Sequence, residues 1–228
     1  MWWRAPYGRY ARQDGPWSLP VRLGWILMEA PASLVTLYCF VRGRHAGDFV
    51  PLLFLGMWQL HYVDRAFFYP LRMRSAPGAR MPLSIAAMSF AYQVVNGYLN
   101  GSWIGHYGSY STSWLLDWRF LAGTLVFAIG FGVNRWADHV LRNLRKPGES
   151  GYKIPRGGLY ELVSCPNFFG EILTWSGWAL ATWSLAGLSF AMVTAANLIP
   201  RGIEHHRWYR EKFPEYPASR RAVIPFVI

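Results

Sequence analysis

The sequence predicts an all-α fold, a polytopic bundle of membrane-spanning helices, and three observations predict it. The 228 residues are 53% hydrophobic and 18% aromatic, yet only 15% are charged, where a soluble domain of this length carries about a quarter. The apolar stretches match a spanning helix, which needs roughly 20 residues. The basic residues gather in alternate connecting segments, as the positive-inside rule requires.

Six apolar segments follow in order: 23–41, 49–69, 83–104, 120–141, 160–183 and 185–205. No internal repeat or low-complexity linker divides them, so residues 1–228 read as a single membrane domain. Residues 1–20 are polar and rich in Gly and Pro, and are expected at the interface. Arg4, Arg9, Arg12 and Arg22 precede the first segment, and Arg72, Arg74 and Arg80 follow the second. Arg142, Arg145, Lys146, Lys153 and Arg156 follow the fourth, and Arg207, Arg210, Lys212, Arg220 and Arg221 follow the sixth. These segments are assigned to the cytoplasmic side, with the C-terminus. The loop 105–117 has no Lys or Arg, while Arg42 and Arg44 break the pattern. Topology therefore accounts for most of the +11 net charge, and nothing points to nucleic acid. The segment Phe213–Pro225 holds three prolines and ends near an apolar Phe-Val-Ile, which is expected to pack back on the bundle.

Several chemistries lack their signatures. Cys39 and Cys165 lie in apolar surroundings, which favours neither a structural disulfide nor a metal site. No Gly-x-Ser-x-Gly appears, and no GxGxxG follows a strand. Glu204, His205 and His206 do not have the HExxH spacing of a zinc site.

Polar residues inside apolar helices are costly unless they face a cavity, a ligand or each other. Asn134, Asp138 and Arg145 fall at offsets that return to nearly one helix face. Asn167, Glu171, Trp175 and Trp178 do the same in the fifth segment, after a Pro166 suited to a first helical turn. Arg201, His205 and Tyr209 repeat the pattern in the sixth, where Pro200 is expected to kink the helix. Helix–helix hydrogen bonding explains any one of these residues. Three stripes together favour a polar wall for a ligand with a phosphate end, which Arg holds bidentately. Glu29 reads either as a protonated carboxyl working beside Tyr62 or as the partner of Arg65. Asp64 beside Arg65 reads as an ion pair.

The chain also resembles the steroid 5α-reductases, or 3-oxo-5α-steroid 4-dehydrogenases. The resemblance is carried by Glu-Ala-Pro at 29–31, His-Tyr-x-x-Arg at 61–65, Leu-Arg-x-Leu-Arg-Lys-Pro-Gly-Glu at 141–149 and Tyr-x-Ile-Pro-x-Gly-Gly at 152–158. Asn-Phe-x-Gly-Glu at 167–171, Ala-Leu-Ala-Thr-Trp-Ser at 179–184, His-His-Arg-x-Tyr at 205–209, Tyr-Pro-x-Ser-Arg at 216–220 and Ile-Pro-Phe at 224–226 complete it. The resemblance implies seven spanning helices, of which this chain would begin at the end of the first. It implies hydride transfer from NADPH to C5 of a 3-oxo-Δ4 steroid. Glu29 and Tyr62 would polarise the 3-keto group. Asn134, Asp138, Arg145, Tyr152, Asn167, Glu171, Arg201, His205 and Tyr209 would bind NADPH, and Gly170 would let it approach closely. Trp175 and Met28 would line the steroid, Met28 standing where the family often has Gln.

The steroid is expected to enter from the bilayer, the protein to be a monomer among membrane lipids, and the resemblance to be to a bacterial-type homologue. Its membrane would be the bacterial inner membrane, or the endoplasmic reticulum in a eukaryote. Two other readings stand beside this one. An S-adenosylmethionine-dependent enzyme like the isoprenylcysteine carboxyl methyltransferases also ends in helices bearing His, Glu and Arg. A non-enzymatic sterol-binding protein would keep its function without Glu29 or Tyr62.

Overall fold

The computed structural model describes residues 17–76, 78–145, 149 and 151–228. Arg4, Arg9, Arg12 and the residues Lys146-Pro147-Gly148 lie outside them. Two compact units meet in sequence at Asp117 and Trp118.

The first unit holds α1 (Val21–Val41), α2 (Phe49–Val63), the short α3 (Tyr69–Arg72) and α4 (Leu83–Ser102). Ahead of α1, Ser18–Pro20 forms β1, antiparallel to β2 (Arg80–Pro82), which leads into α4. The all-α expectation thus acquires one small clamp. Arg80 reinforces it by donating Nε to Ser18 Oγ at 2.8 Å. Because each strand feeds a helix, α1 and α4 leave the clamp side by side and run parallel.

Glycines on α4 and on the π-helix Trp103–Tyr107 that continues it let the two backbones touch. A Cβ on Gly97 would lie 3.2 Å from the Pro31 carbonyl oxygen, one on Gly101 2.8 Å from Thr36 Cα, and one on Gly105 2.8 Å from Phe40 Cα. Small residues four apart are how helices pack in lipid, where apolar burial gives little drive. Thr36 Oγ1 adds a hydrogen bond to the Gly97 carbonyl at 3.2 Å. Trp58 on α2 donates to Ala32 O at 2.8 Å, and Gln59 donates to Ser33 O at 3.0 Å.

Between α2 and α3 the chain widens into a π-helix, Asp64–Phe68. Pro70 gives the cause: it has no N–H for the carbonyl four residues back, and its ring crowds that position. Arg65 lies over the rings of Trp25 and Tyr69, at 5.0 and 4.7 Å. Asp64 accepts from Arg72 at 3.2 Å.

The second unit contains α5 (Trp118–Asn143), α6 (Pro166–Thr182) and α7 (Leu185–Lys212). α5 and α6 are antiparallel and packed backbone to backbone. A Cβ on Gly130 would lie 2.4 Å from Thr174 N, and one on Gly177 2.3 Å from Phe127 N. α6 stops at Trp183, whose left-handed φ of 45° turns the chain. Ser184 then caps α7, its Oγ accepting from Gly187 N at 2.9 Å, which satisfies an N–H that the helix start leaves open.

Each expected apolar segment contains a helix, and α7 runs through Pro200. By length and composition α1 and α5 can each cross a membrane. The fifth segment begins later than expected, at Pro166. Residues 158–161 form a separate 3₁₀ turn, and Val163 then bridges to Arg221. The tail does pack back: Ser164 N and Cys165 N donate to Arg221 O and Ala222 O at 2.8 and 3.0 Å. Arg220 is 1% exposed. Its Nη1 donates to Pro155 O at 2.9 Å and its Nη2 reaches Glu161 at 3.1 Å.

Candidate functional site

Each unit holds a polar cluster within apolar helices. In the first, Glu29 comes from α1 and Tyr62 from the end of α2. The ring of Tyr62 is 2% exposed and is wedged between Trp58 (4.9 Å between centroids) and His61 (5.1 Å). Two α4 residues that the sequence reading passed over join the pair. Gln93 Nε2 donates to Glu29 Oε2 at 3.1 Å, and Tyr62 donates its hydroxyl proton to Gln93 Oε1 at 3.3 Å.

Asn96 Nδ2 donates to both Tyr62 Oη (3.3 Å) and Gln93 Oε1 (3.0 Å). Asn100 Nδ2 in turn donates to Asn96 Oδ1 at 3.0 Å. Gln93, Asn96 and Asn100 are all buried. Their offsets of three and four put them on one helix face, a pattern that was open to sequence reasoning. Met28, expected on the steroid surface, is buried with Leu19, Met81 and Ala86. A helix turns about 100° per residue, which carries Met28 away from the direction of Glu29.

In the second unit α5 and α6 bring Asn134, Asp138, Asn167, Glu171 and Trp175 together. Asn134 Nδ2 donates to Asn167 O at 2.8 Å and to Glu171 Oε2 at 2.9 Å. Asn167 Nδ2 donates to Asp138 Oδ1 at 3.3 Å. Trp175 Nε1 donates to Glu171 Oε1 at 2.9 Å, and the indole packs on Phe190 at 4.3 Å. Arg135, absent from the sequence reading, crosses the cluster. Its Nε donates to Asn134 Oδ1 at 3.1 Å, and its Nη2 lies 3.5 Å from Asp138 Oδ2. A lone Arg inside an apolar segment, flanked by Asn134 and Asp138, was the available signal.

The rest of the expected cofactor set is spread along this unit. Arg201 and His205 both meet Phe168, the residue after Asn167, at 5.6 and 5.7 Å. Tyr209 stacks on Tyr216 at 5.2 Å, and Tyr152 sets its ring edge on Trp208 at 4.7 Å. α5 ends at Asn143, so Arg145 sits on the bend beyond the helix and not on a continuous stripe. It donates to Gly151 O at 3.4 Å.

Gly170 also differs from expectation. A Cβ there would lie 2.5 Å from Asn134 N, so its missing side chain admits the α5 backbone and not a ligand. An apolar surface groove of about 310 Å³, lined by Gly132, Val133, Trp136, Gly158 and Leu159, carries none of these polar groups.

Elsewhere in the second unit, Ser164 Oγ bonds to His206 Nδ1 at 2.7 Å and to Tyr216 Oη at 2.6 Å. Glu161 Oε1 accepts from Gly157 N at 2.6 Å. That N–H, and then Arg220, hold the Glu161 carboxyl below its ordinary range.

Comparison with known proteins adds a family. Residues 79–228 match the family described as 3-oxo-5-alpha-steroid 4-dehydrogenase. The chain is 46% identical to the steroid 5-alpha-reductase DET2 of Gossypium hirsutum, over 98% of this chain and 88% of that protein. It is 43% identical to the 3-oxo-5-alpha-steroid 4-dehydrogenase 1 of Bos taurus, with the same coverage. The protein of that name in Homo sapiens is 42% identical, over 97% of this chain and 85% of its own.

Proposed function

Because the chain belongs to the 3-oxo-5-alpha-steroid 4-dehydrogenase family, we propose that it reduces the Δ4 double bond of 3-oxo-Δ4 steroids to 5α-reduced 3-oxo steroids, using NADPH. Family membership makes it an oxidoreductase, and its apolar helices fit an integral membrane protein. The observation that carries the mechanism is the acid–phenol pair. Glu29 and Tyr62 come from different helices and are joined through one amide, Gln93.

As the double bond is reduced, negative charge develops on the 3-keto oxygen. Tyr62 Oη and a protonated Glu29 donate hydrogen bonds to that oxygen. Donors fixed in a low-dielectric site need no reorganisation when the charge appears. Trp58 and His61 hold the phenol ring so that its hydroxyl stays on the α4 side.

The donor set of the second unit fits a dinucleotide by its chemistry. Asn134, Asp138, Asn167 and Glu171 offer the amide donors and carboxylate acceptors that a carboxamide and ribose hydroxyls require. Arg145, Arg201, His205, Tyr152 and Tyr209 add cations and hydroxyls suited to phosphates. When bound, the reduced nicotinamide supplies a hydride to C5, and a proton completes the reduction at C4. The N–H of Trp175 holds Glu171 in place.

The chain acts as one membrane domain of six spans. It takes its substrate from the bilayer and works as a monomer among lipids. Its C-terminus is cytoplasmic, and its eukaryotic relatives favour the endoplasmic reticulum as its membrane.

The test is purified protein in lipid nanodiscs given testosterone or progesterone with NADPH. The expected result is a 5α-reduced 3-oxo product, with NADPH raising Tm. Failure to reduce these or related enones, or stabilisation by S-adenosylmethionine and not by NADPH, would overturn the proposal.

A further inference from the structure

We infer that the α4 stripe Gln93–Asn96–Asn100 positions the acid–phenol pair, fixing where each of its two protons points. The inference rests on the roles proposed for Glu29 and Tyr62. It goes beyond them by assigning the work of orientation to residues that touch neither substrate nor cofactor.

The geometry runs in one direction. Asn100 Nδ2 donates to the backbone carbonyl of Asn96 at 3.1 Å and to its Oδ1 at 3.0 Å. An amide oxygen that accepts there leaves Asn96 Nδ2 facing the other way. That nitrogen donates to Tyr62 Oη at 3.3 Å and to Gln93 Oε1 at 3.0 Å. Gln93 Oε1 is thereby fixed as an acceptor, so its Nε2 must face Glu29 Oε2, 3.1 Å away. Each amide is set by the one below it, and a flip of any one would put two acceptors or two donors face to face.

The consequences fall on the reacting groups. Glu29 Oε2 accepts from Gln93, which favours Oε1 as the oxygen that carries the acid proton. Tyr62 Oη accepts from Asn96 while its own hydrogen rests on Gln93 Oε1. Donation into Oη withdraws charge from the O–H bond and strengthens it as a donor, because chained hydrogen bonds polarise one another. When a ketone oxygen arrives, the Tyr62 proton turns from Gln93 to the ketone, and Gln93 Oε1 keeps its bond from Asn96. No buried acceptor is stranded by the exchange.

Burial makes the stripe consequential. Asn96 is 4% and Asn100 1% exposed. An unpaired amide is costly at such burial, so the network holds a single arrangement.

The experiment combines kinetics with a double-mutant cycle and uses the full chain in nanodiscs with testosterone and NADPH. Asn96→Leu and Gln93→Met are expected to lower kcat by about 10- to 100-fold, the scale seen when the partner that orients a metal ligand is removed. The steroid KM should stay near its original value.

In a Tyr62→Phe background, Asn96→Leu should lower kcat by a smaller factor than in the wild type, the remainder acting through Gln93 on Glu29, because residues that act as a unit are not additive. A merely structural role would instead lower kcat by the same factor in both backgrounds, and that result overturns the inference. So does full kcat in Asn96→Leu. If the Leu variant is not recovered folded, Asn96→Asp decides, since it keeps the shape and loses the N–H donor.

A readout without turnover completes the test. The infrared carboxyl band that disappears in Glu29→Gln should shift in Gln93→Met, and an unmoved band sinks the Gln93 assignment. The two levels fail differently. Wild-type kcat in Tyr62→Phe would refute the proposed mechanism. A slow Tyr62→Phe with a fast Asn96→Leu would refute the positioning alone.

Discussion

Asn134 on α5 and Glu171 on α6 are joined by a 2.9 Å hydrogen bond, and the same Asn134 amide also donates to the Asn167 carbonyl at 2.8 Å. One side-chain nitrogen therefore ties two antiparallel helices at two points. Glu171 accepts on its other oxygen from Trp175, so the carboxylate is bracketed by donors.

Glu171→Leu should strand the Asn134 and Trp175 donors. The expected loss is about 1–3 kcal/mol for each donor left unsatisfied, read as a lower Tm in detergent. NADPH should also stabilise the variant less than it stabilises the wild type. Glu171→Gln, which can still accept, should lose less stability.

Gly130→Leu should be worse than any single polar change in the second unit. Its new side chain would meet Thr174 N at a Cβ distance of 2.4 Å, where backbone cannot yield. Overpacking costs about 1–3 kcal/mol or more. Fluorescence-detected size exclusion should show little folded protein, whereas Gly132→Ala, facing open space, should behave as wild type.

Glu29→Leu and Tyr62→Phe should each lower kcat by about 100- to 1000-fold, the usual cost of one oxyanion donor. Steady-state rates with saturating steroid check this. Equal kcat in either variant would remove that residue from the mechanism.

The Glu161 latch should be sensitive to acid. Its carboxyl is held below the ordinary value by Gly157 N–H and then by Arg220. A lowered folded pKa contributes stability that is fully present above the unfolded value, about 4.3. That contribution fades as pH falls through the folded value. Limited proteolysis of the C-terminal tail should therefore accelerate below about pH 4 in the wild type. In Glu161→Gln, cleavage should already be fast at neutral pH and change little on acidification.

The sequence revealed the helices because lipid imposes length and composition at once: α1 and α5 announce themselves by apolar run alone. It also revealed Asn134, Asn167, Glu171 and Trp175, since a four-residue offset needs no tertiary knowledge. Gly170 misled because a glycine says that something comes close and not what comes; only coordinates identify it as Asn134 N. Arg145 misled because helical offsets assume a helix that persists, and α5 ends at Asn143. Gln93 and Asn96 went unnoticed because amides in an apolar run look like generic glue. Their meaning depends on α4 lying along α1 with Tyr62, at the end of α2, within reach, which no local pattern encodes.

The glycine contacts between α1 and α4 bear on how the protein meets membranes of different thickness. A bilayer thinner or thicker than a bundle is met by tilting or by distortion of the lipid, at fractions of a kcal/mol per ångström. Sliding one helix past its neighbour would demand that Gly101 climb over the Thr36 backbone. The pair must therefore tilt as one body, and Glu29 and Gln93 stay level with each other whichever lipids surround them.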